Sequence, residues 1–137
     1  MPERLRLLLA DDDEVDVMNI QRALEQRGLH YPLHIARDGH AALDELRSGR
    51  VPRDRLLVLL DLYMPRLGGI ETLQAIRNDP ELTMLPVVLL TTSNDERLKL
   101  DAYHLNVAGY LRKPVDPVEL EQQLEVLCNY WSAIEMP

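Results

Sequence analysis

Several side chains that can do chemistry stand directly after short apolar runs of this sequence. Asp11 and Asp12 follow a leucine-rich run, and Asp61 follows an unbroken apolar run. Thr91 and Lys113 end two later runs in the same way. Carboxylates that lie together repel one another and favour a cation, and hard oxygen ligands suit Mg²⁺. An aspartate beside such a metal can attack phosphorus, while a lysine and a hydroxyl can hold the phosphoryl oxygens.

The elements that would position these side chains alternate along the chain. The apolar run 56–60 is bounded by polar and turn residues, which predicts a strand buried on both faces. Met64-Pro65 then favours a turn, and Gly68-Gly69 precedes a helical pattern. Comparable apolar runs predict four further strands at 4–10, 33–36, 86–93 and 108–111. Apolar residues at helical spacing predict helices around 17–24, 42–46, 70–76, 98–105 and 120–134.

This alternation predicts an α/β fold, a doubly wound parallel sheet of five strands with helices on both faces. Parallel strands share a direction, so their carboxyl ends meet at one edge of the sheet. Residues that are far apart in sequence would therefore converge there, at the edge where α/β proteins place their chemistry.

Composition restricts the classes of function. The length of 137 residues fits a single domain, and the net charge of −8 argues against a nucleic-acid or anionic-membrane binder. No apolar stretch approaches the ~20 residues of a membrane span. The single cysteine, Cys128, excludes an internal disulfide and fits the cytoplasm, so we interpret it as a packing residue.

Taken together, these residues resemble the receiver domain of bacterial two-component response regulators. The motif comprises Asp11-Asp12, Asp61 with Met64-Pro65 and Gly69, Thr91, and Lys113-Pro114. The resemblance covers about Leu5 to Trp131 and implies the flavodoxin-like strand order 2-1-3-4-5. We expect residues 1–137 to form one stand-alone receiver without an output domain.

The resemblance also implies roles for individual residues. Asp61 would be the phosphoacceptor, and Mg²⁺ would be held by Asp11, Asp12, Asp61 and the backbone carbonyl of Tyr63. Thr91 and Lys113 would contact the phosphoryl group, and Tyr110 would be the switch aromatic rather than a half-buried sheet tyrosine. Asp13 and Asp16 are expected to be capping and surface residues. The protein would be a signalling phosphoprotein, not an enzyme, with self-phosphorylation and self-dephosphorylation as its intrinsic activities.

A subgroup of receivers, those that serve bacterial phytochrome kinases, shares further features with this chain. These are the loop 50–55, the run 89–94 and the ending 129–131. The resemblance implies a sensor histidine kinase as partner, specifically a bacteriophytochrome. The phosphate would either pass to a histidine phosphotransfer protein or drain from the kinase. Tyr63 replaces the Asn of many relatives, which leaves the phosphoryl lifetime open.

Two other functions remain as alternatives. A degenerate receiver would serve only as a protein-interaction module, although the complete residue set speaks against that. A haloacid-dehalogenase-type phosphatase also uses a strand-end Asp, but it needs a second Asp two residues later, where this chain has Tyr63. A nucleotide-binding function is not indicated, because no glycine-rich phosphate-binding motif follows a predicted strand.

Two conformational features are expected from the resemblance. We predict a cis bond between Lys113 and Pro114, which would aim the lysine into the site. We also predict that phosphoryl contact by Thr91 draws the loop 92–95 inward and lets Tyr110 turn in, changing the surface around the fourth helix and fifth strand.

The apolar pattern of the last predicted helix predicts a homodimer. One apolar stripe, Leu120, Leu124, Leu127 and Trp131, would pack on the sheet. A second apolar stripe, Val126, Tyr130 and Ala133, lies on another side of this helix. It would pack against the same stripe of a second copy of the chain in a twofold dimer. We place Val126, Tyr130, Trp131, Ala133 and Ile134 in that interface, with a frayed monomeric terminus as the alternative.

Overall fold

Five strands alternate with five helices in this computed structural model, which describes residues 4–92 and 96–136. The first half comprises β1 (Arg6–Ala10), α1 (Glu14–Gln26), β2 (Leu33–Ala36), α2 (Gly39–Ser48) and β3 (Leu56–Asp61). The second half comprises α3 (Gly69–Asn78), β4 (Val87–Thr91), α4 (Glu96–His104), β5 (Gly109–Arg112) and α5 (Pro117–Ala133).

The strands form one parallel sheet in the order β2-β1-β3-β4-β5. This confirms the predicted fold class and strand order. The central strand β3 is buried along its whole length, as its unbroken apolar run predicts. The carboxyl ends of β1, β3, β4 and β5 consequently lie along one edge.

Two hydrophobic clusters pack on the opposite faces of the sheet. Successive side chains of β3 alternate between them, with Val58 and Leu60 on one face and Leu57 and Leu59 on the other. The first face packs against residues of α2, α3 and α4, and the second against residues of α1 and α5. Burial on both faces fixes the register of β3 and therefore the position of the residue at its end.

The carboxyl end of α5 is tied to the domain rather than frayed. The Arg55 guanidinium donates to the carbonyls of Trp131, Ser132 and Ile134 at 2.9, 3.2 and 2.7 Å. Met136 packs on the hydrophobic cluster that α1 and α5 cover. These contacts satisfy carbonyls that a helix end leaves open.

Part of the predicted second stripe on α5 remains exposed. Val126 and Tyr130 are 69% and 58% exposed, and Ala133 is also exposed. Trp131 and Ile134 are half-buried, and the Trp131 ring packs on its own domain. The exposed apolar strip on α5 is therefore narrower than the sequence suggests.

A partly buried arginine joins three segments on the α3 side of the sheet. The Arg77 guanidinium donates to the carbonyls of Thr83 and Leu85, which precede β4, at 2.9 and 2.8 Å. It also donates to the carbonyls of Leu105 and Asn106, just after α4, at 2.8 and 2.9 Å. Desolvation lowers the pKa of Arg77. We call this set of contacts the Arg77 clamp.

No helix in the described part of the chain has both the length and the apolar content needed to cross a membrane. Residues 93–95 of the loop that was expected to move lie outside the described residues.

Candidate functional site

The carboxyl edge of the sheet brings the predicted polar residues together. Asp11 follows β1, Asp61 ends β3, Thr91 ends β4 and Lys113 follows β5. Backbone hydrogen bonds extend the ladders into this edge, from Asp11 N to the Ala36 carbonyl at 3.0 Å and from Lys113 N to the Thr91 carbonyl at 2.7 Å. The fold thus positions each residue through a rigid strand end.

Three carboxylates form a cluster suited to a divalent cation. Asp11, Asp12 and Asp61 each offer an oxygen, and these oxygens lie within 4.8 Å of one another. Asp11 and Asp61 are buried, whereas Asp12 is exposed. Buried carboxylates this close need a compensating cation, and oxygen donors with one open side suit Mg²⁺. The residues present therefore fit the metal that the sequence predicts.

Lys113 provides a positive charge within the same edge. Its Nζ donates to Asp11 at 2.9 Å and to Asp61 at 3.2 Å. A third bond, at 2.8 Å, goes to Asp16 in the first turn of α1. The lysine side chain is only 10% exposed, so its charge is poorly screened by water.

Burial dominates the electrostatics of the site. Desolvation raises the pKa of Asp61 to about 6 and outweighs the lowering by the Lys113 charge. Desolvation also raises the pKa of Asp11. Burial lowers the pKa of Lys113, but its hydrogen bonds to Asp16 and Asp11 more than reverse this, so the net pKa is raised and the lysine stays charged.

The glycine after the β3–α3 turn allows a close approach to the candidate nucleophile. A Cβ on Gly69 would lie 2.5 Å from the carbonyl oxygen of Asp61 and 2.9 Å from Leu62 Cα. The Gly69 N–H donates to the Leu62 carbonyl at 3.0 Å. Any larger residue would displace the turn that follows Asp61.

Comparison with known proteins agrees with this arrangement. The family model for the response regulator receiver domain matches residues 7–125. This chain belongs to the response regulator receiver family. It is thus the receiver domain of a two-component response regulator.

Two curated relatives match nearly the whole of this chain. The probable methanogenesis regulatory protein FilR2 of Methanothrix harundinacea is 39% identical over 91% of this chain and 82% of its own. The response regulator Rcp1 of Synechocystis is 34% identical over 91% of this chain and 87% of its own.

Solved structures of response regulators superpose on this chain over nearly its whole length. The phosphorylated cyanobacterial phytochrome response regulator RcpA superposes with a TM-score of 0.86 at 32% identity, covering 98% of this chain and 99% of its own. The Mn²⁺-bound form of Rcp1 gives a TM-score of 0.82 at 31% identity, covering 97% of this chain and 99% of its own. The subgroup named from the sequence therefore includes structural neighbours of this receiver.

The remaining predicted site residues lie on β4, on β5 and in the turn after β3. Thr91 is fully buried at the end of β4. The Tyr110 ring packs against the hydrophobic cluster on the α4 side, with Lys99 Nζ 6.0 Å from the ring centroid. Tyr63 is 55% exposed and, with Asp12, lines a groove of about 760 Å³ beside the site.

Sequence reasoning missed Asp16, which was taken for a surface residue. Its carboxylate instead bonds Lys113. Asp13, by contrast, is the predicted cap, since its carboxylate accepts from the Val15 and Asp16 amides. A signal for Asp16 was present: helical side chains lean toward the helix N-terminus, and the N-terminus of α1 lies at the carboxyl edge of the sheet.

The predicted cis bond between Lys113 and Pro114 is wrong for this structure, in which the bond is trans. Cis geometry is not needed to aim the lysine. Lys113 reaches Asp11 and Asp61 across a trans bond. The position of Lys113 at the end of β5, together with the length of its side chain, is sufficient.

Proposed function

We propose that this receiver accepts a phosphoryl group on Asp61 from the phosphohistidine of a sensor kinase. The observation that carries the proposal is the contact of Lys113 with Asp61 inside a cluster of carboxylates that share one edge of the sheet. A buried carboxylate, a fixed ammonium and a cation-binding cluster are what phosphoryl transfer to aspartate requires.

The chemistry is a balanced group transfer. An Asp61 oxygen attacks phosphorus, an O–P bond forms, and the N–P bond of the phosphohistidine breaks. The imidazole leaves with the electron pair of that bond and takes up a proton. The product on this chain is an aspartyl phosphate. Lys113 pairs with a phosphoryl oxygen, and the Thr91 hydroxyl donates to another.

Mg²⁺ would be held by Asp11, Asp12 and Asp61, together with the backbone carbonyl of Tyr63. When bound, the ion neutralises carboxylate charge and lowers the repulsion that an incoming phosphoryl group meets. The groove lined by Asp12 and Tyr63 provides an approach to the cluster from solvent.

The output would be a change of surface near α4 and β5. Thr91 lies at the end of the strand next to β5, which carries Tyr110. Contact between Thr91 and the phosphoryl group would favour the conformation in which Tyr110 is turned inward. A shift from mostly one state to mostly the other needs several kcal/mol of differential stabilisation.

The kinase partner would be of the phytochrome type. RcpA, a phytochrome response regulator, and this chain cover nearly all of each other at 32% identity. A histidine phosphotransfer protein would be a second partner if the phosphate passes onward. We also propose that the receiver forms a homodimer through the exposed strip of α5.

Phosphotransfer profiling tests the proposed function. A panel of purified sensor kinases that includes bacteriophytochromes is labelled with ³²P-ATP and mixed with wild type, Asp61→Asn or Asp54→Asn. Asp54 is exposed just before the amino end of β3, so it is a matched control at the other end of this strand from Asp61. We expect label on wild type and Asp54→Asn and none on Asp61→Asn. Equal labelling of Asp61→Asn would refute the assignment.

A further inference from the structure

Asp16 makes a contact that the proposed phosphoryl transfer does not use. Its carboxylate accepts from Lys113 Nζ at 2.8 Å, the shortest of the three bonds that this ammonium makes to Asp16, Asp11 and Asp61. The Asp16 side chain is 32% exposed, whereas that of Asp11 is fully buried. Asp16 also lies outside the carboxylate cluster that suits a metal.

The contacts of Lys113 use its full donor capacity. A lysine ammonium has three N–H donors, and here each has a carboxylate acceptor. A phosphoryl oxygen on Asp61 must take one of these donors. A bound metal would use oxygens of Asp11 and Asp61 as ligands, but not those of Asp16. Asp16 would then compete with the phosphoryl group for the Lys113 ammonium.

The charge of the site points in the same direction. Asp11, Asp12 and Asp61 with one Lys113 and one divalent cation sum to zero. Adding Asp16 makes the sum −1. An incoming phosphoryl group, itself negative, is therefore opposed by Asp16 and favoured by its neutralisation.

We propose that Asp16 holds the Lys113 ammonium in the unphosphorylated receiver and competes with the phosphoryl group for it. Asp16 is then a positioning residue that acts through Lys113 and restrains aspartyl phosphate formation. The proposal rests on the proposed function, in which Asp61 is the phosphoacceptor.

Asp16→Asn tests the competition with little change of shape. Asn keeps an oxygen that can accept from Lys113 and removes the charge. Beryllofluoride, a phosphoryl mimic, is titrated by calorimetry in saturating Mg²⁺. We expect Asp16→Asn to bind it roughly 1.5- to fivefold more tightly than wild type, the range for a partly exposed ion pair. Asp13→Asn, the same change at the N-cap of the same helix without the Lys113 contact, should bind like wild type.

A double-mutant cycle decides whether Asp16 acts through the lysine. In a Lys113→Met background the gain from Asp16→Asn should shrink toward unity. An affinity of Asp16→Asn no higher than that of Asp13→Asn would overturn the proposal, as would an equal gain without Lys113. Thermal unfolding of each variant confirms that it is folded.

The cycle separates this inference from the proposed function. If wild type fails to bind beryllofluoride, and no kinase labels Asp61, the phosphoacceptor assignment fails and this inference falls with it. If wild type binds the mimic and Asp16→Asn shows no gain, only the role of Asp16 is refuted.

Discussion

Asp61 carries a pKa that burial raises to about 6, and this should be visible in metal binding. A carboxylate must be deprotonated to ligate a cation. The affinity for Mg²⁺ should therefore fall as the pH drops below about 6, by up to about tenfold per pH unit, and level off above neutrality.

Calorimetric Mg²⁺ titrations between pH 5 and pH 8 measure this dependence. Asp61→Asn is the control, because it removes the group with a pKa of about 6 and should make the profile shallower, leaving the weaker dependence due to Asp11. A wild-type affinity that stays constant from pH 5 to pH 7 would contradict the electrostatics described for Asp61.

Cys128 should be chemically inert in the folded protein. It is fully buried, and desolvation raises its thiol pKa to about 11. At pH 8 nearly all of the thiol is protonated, and the thiolate is the reactive form. Iodoacetamide should modify the protein, as followed by mass spectrometry, only after guanidinium unfolds it. Equal rates of labelling in native and unfolded protein would contradict this.

At the residue scale, sequence alone predicted which polar residues meet at the carboxyl edge of the sheet. Asp11, Asp12, Asp61 and Lys113 could be found because each follows an apolar run, and parallel strands end at one edge. Asp16 lies in a helix and does not follow an apolar run, so this pattern does not identify it; the lean of helical side chains toward the helix N-terminus does. The trans geometry of the Lys113–Pro114 bond was also missed. Residue spacing does not show that a lysine side chain is long enough to reach Asp11 and Asp61 without a cis bond.

At the element scale, the turn between β3 and α3 depends on Gly69. Gly69→Ala should destabilise the receiver by about 1–3 kcal/mol, because the new Cβ would meet the Asp61 carbonyl. Gly109→Ala is the control, since a Cβ there would meet Val88 at an ordinary 3.6 Å. Urea denaturation measures both variants. Equal stability of Gly69→Ala and Gly109→Ala would show that the turn adjusts freely.

The Arg77 clamp should contribute strongly to stability. Arg77→Met leaves the carbonyls of the clamp without their charged donor and should cost about 2–4 kcal/mol. Arg47→Met is the control, because the Arg47 side chain is 53% exposed and pairs with Asp79 at the surface. It should cost less than about 1 kcal/mol. Similar urea midpoints for the two variants would contradict the role of the clamp.

The elements themselves were largely predictable. The buried run 56–60 and the helical apolar spacings indicated all ten elements in their observed order. The limits shifted by a few residues: β1 begins at Arg6 rather than residue 4, and β4 ends at Thr91 rather than residue 93. Those limits depend on which backbone groups find ladder partners, which hydrophobic pattern does not determine.

At the scale of the whole molecule, the proposed dimer can be tested without deleting the helix end. A deletion from residue 130 would also remove carbonyls that accept from Arg55. A single exposed substitution, Val126→Glu, leaves those contacts in place. Light scattering should give a mass near two chains of 15.8 kDa for wild type and near one for Val126→Glu.

The matched control for the dimer is Val15→Glu, which introduces the same charge at a residue that is 64% exposed on α1. It should keep the wild-type mass. A wild-type mass near one chain across micromolar concentrations would refute the dimer and leave the strip on α5 for another role.

The Arg77 clamp also restrains one end of α4. It holds the segment just after the carboxyl end of α4 to α3 and to the start of β4, whereas the amino end of α4 follows the loop next to Thr91. A helix fixed at one end rotates about that end. If Asp61 is phosphorylated as proposed, we expect the clamp to hold the carboxyl end of α4 in place, so that any displacement of the helix is larger in its amino-terminal half. All four acceptors of the clamp are neutral carbonyls, so changes in ionic strength should disturb it less than they disturb the surface ion pairs.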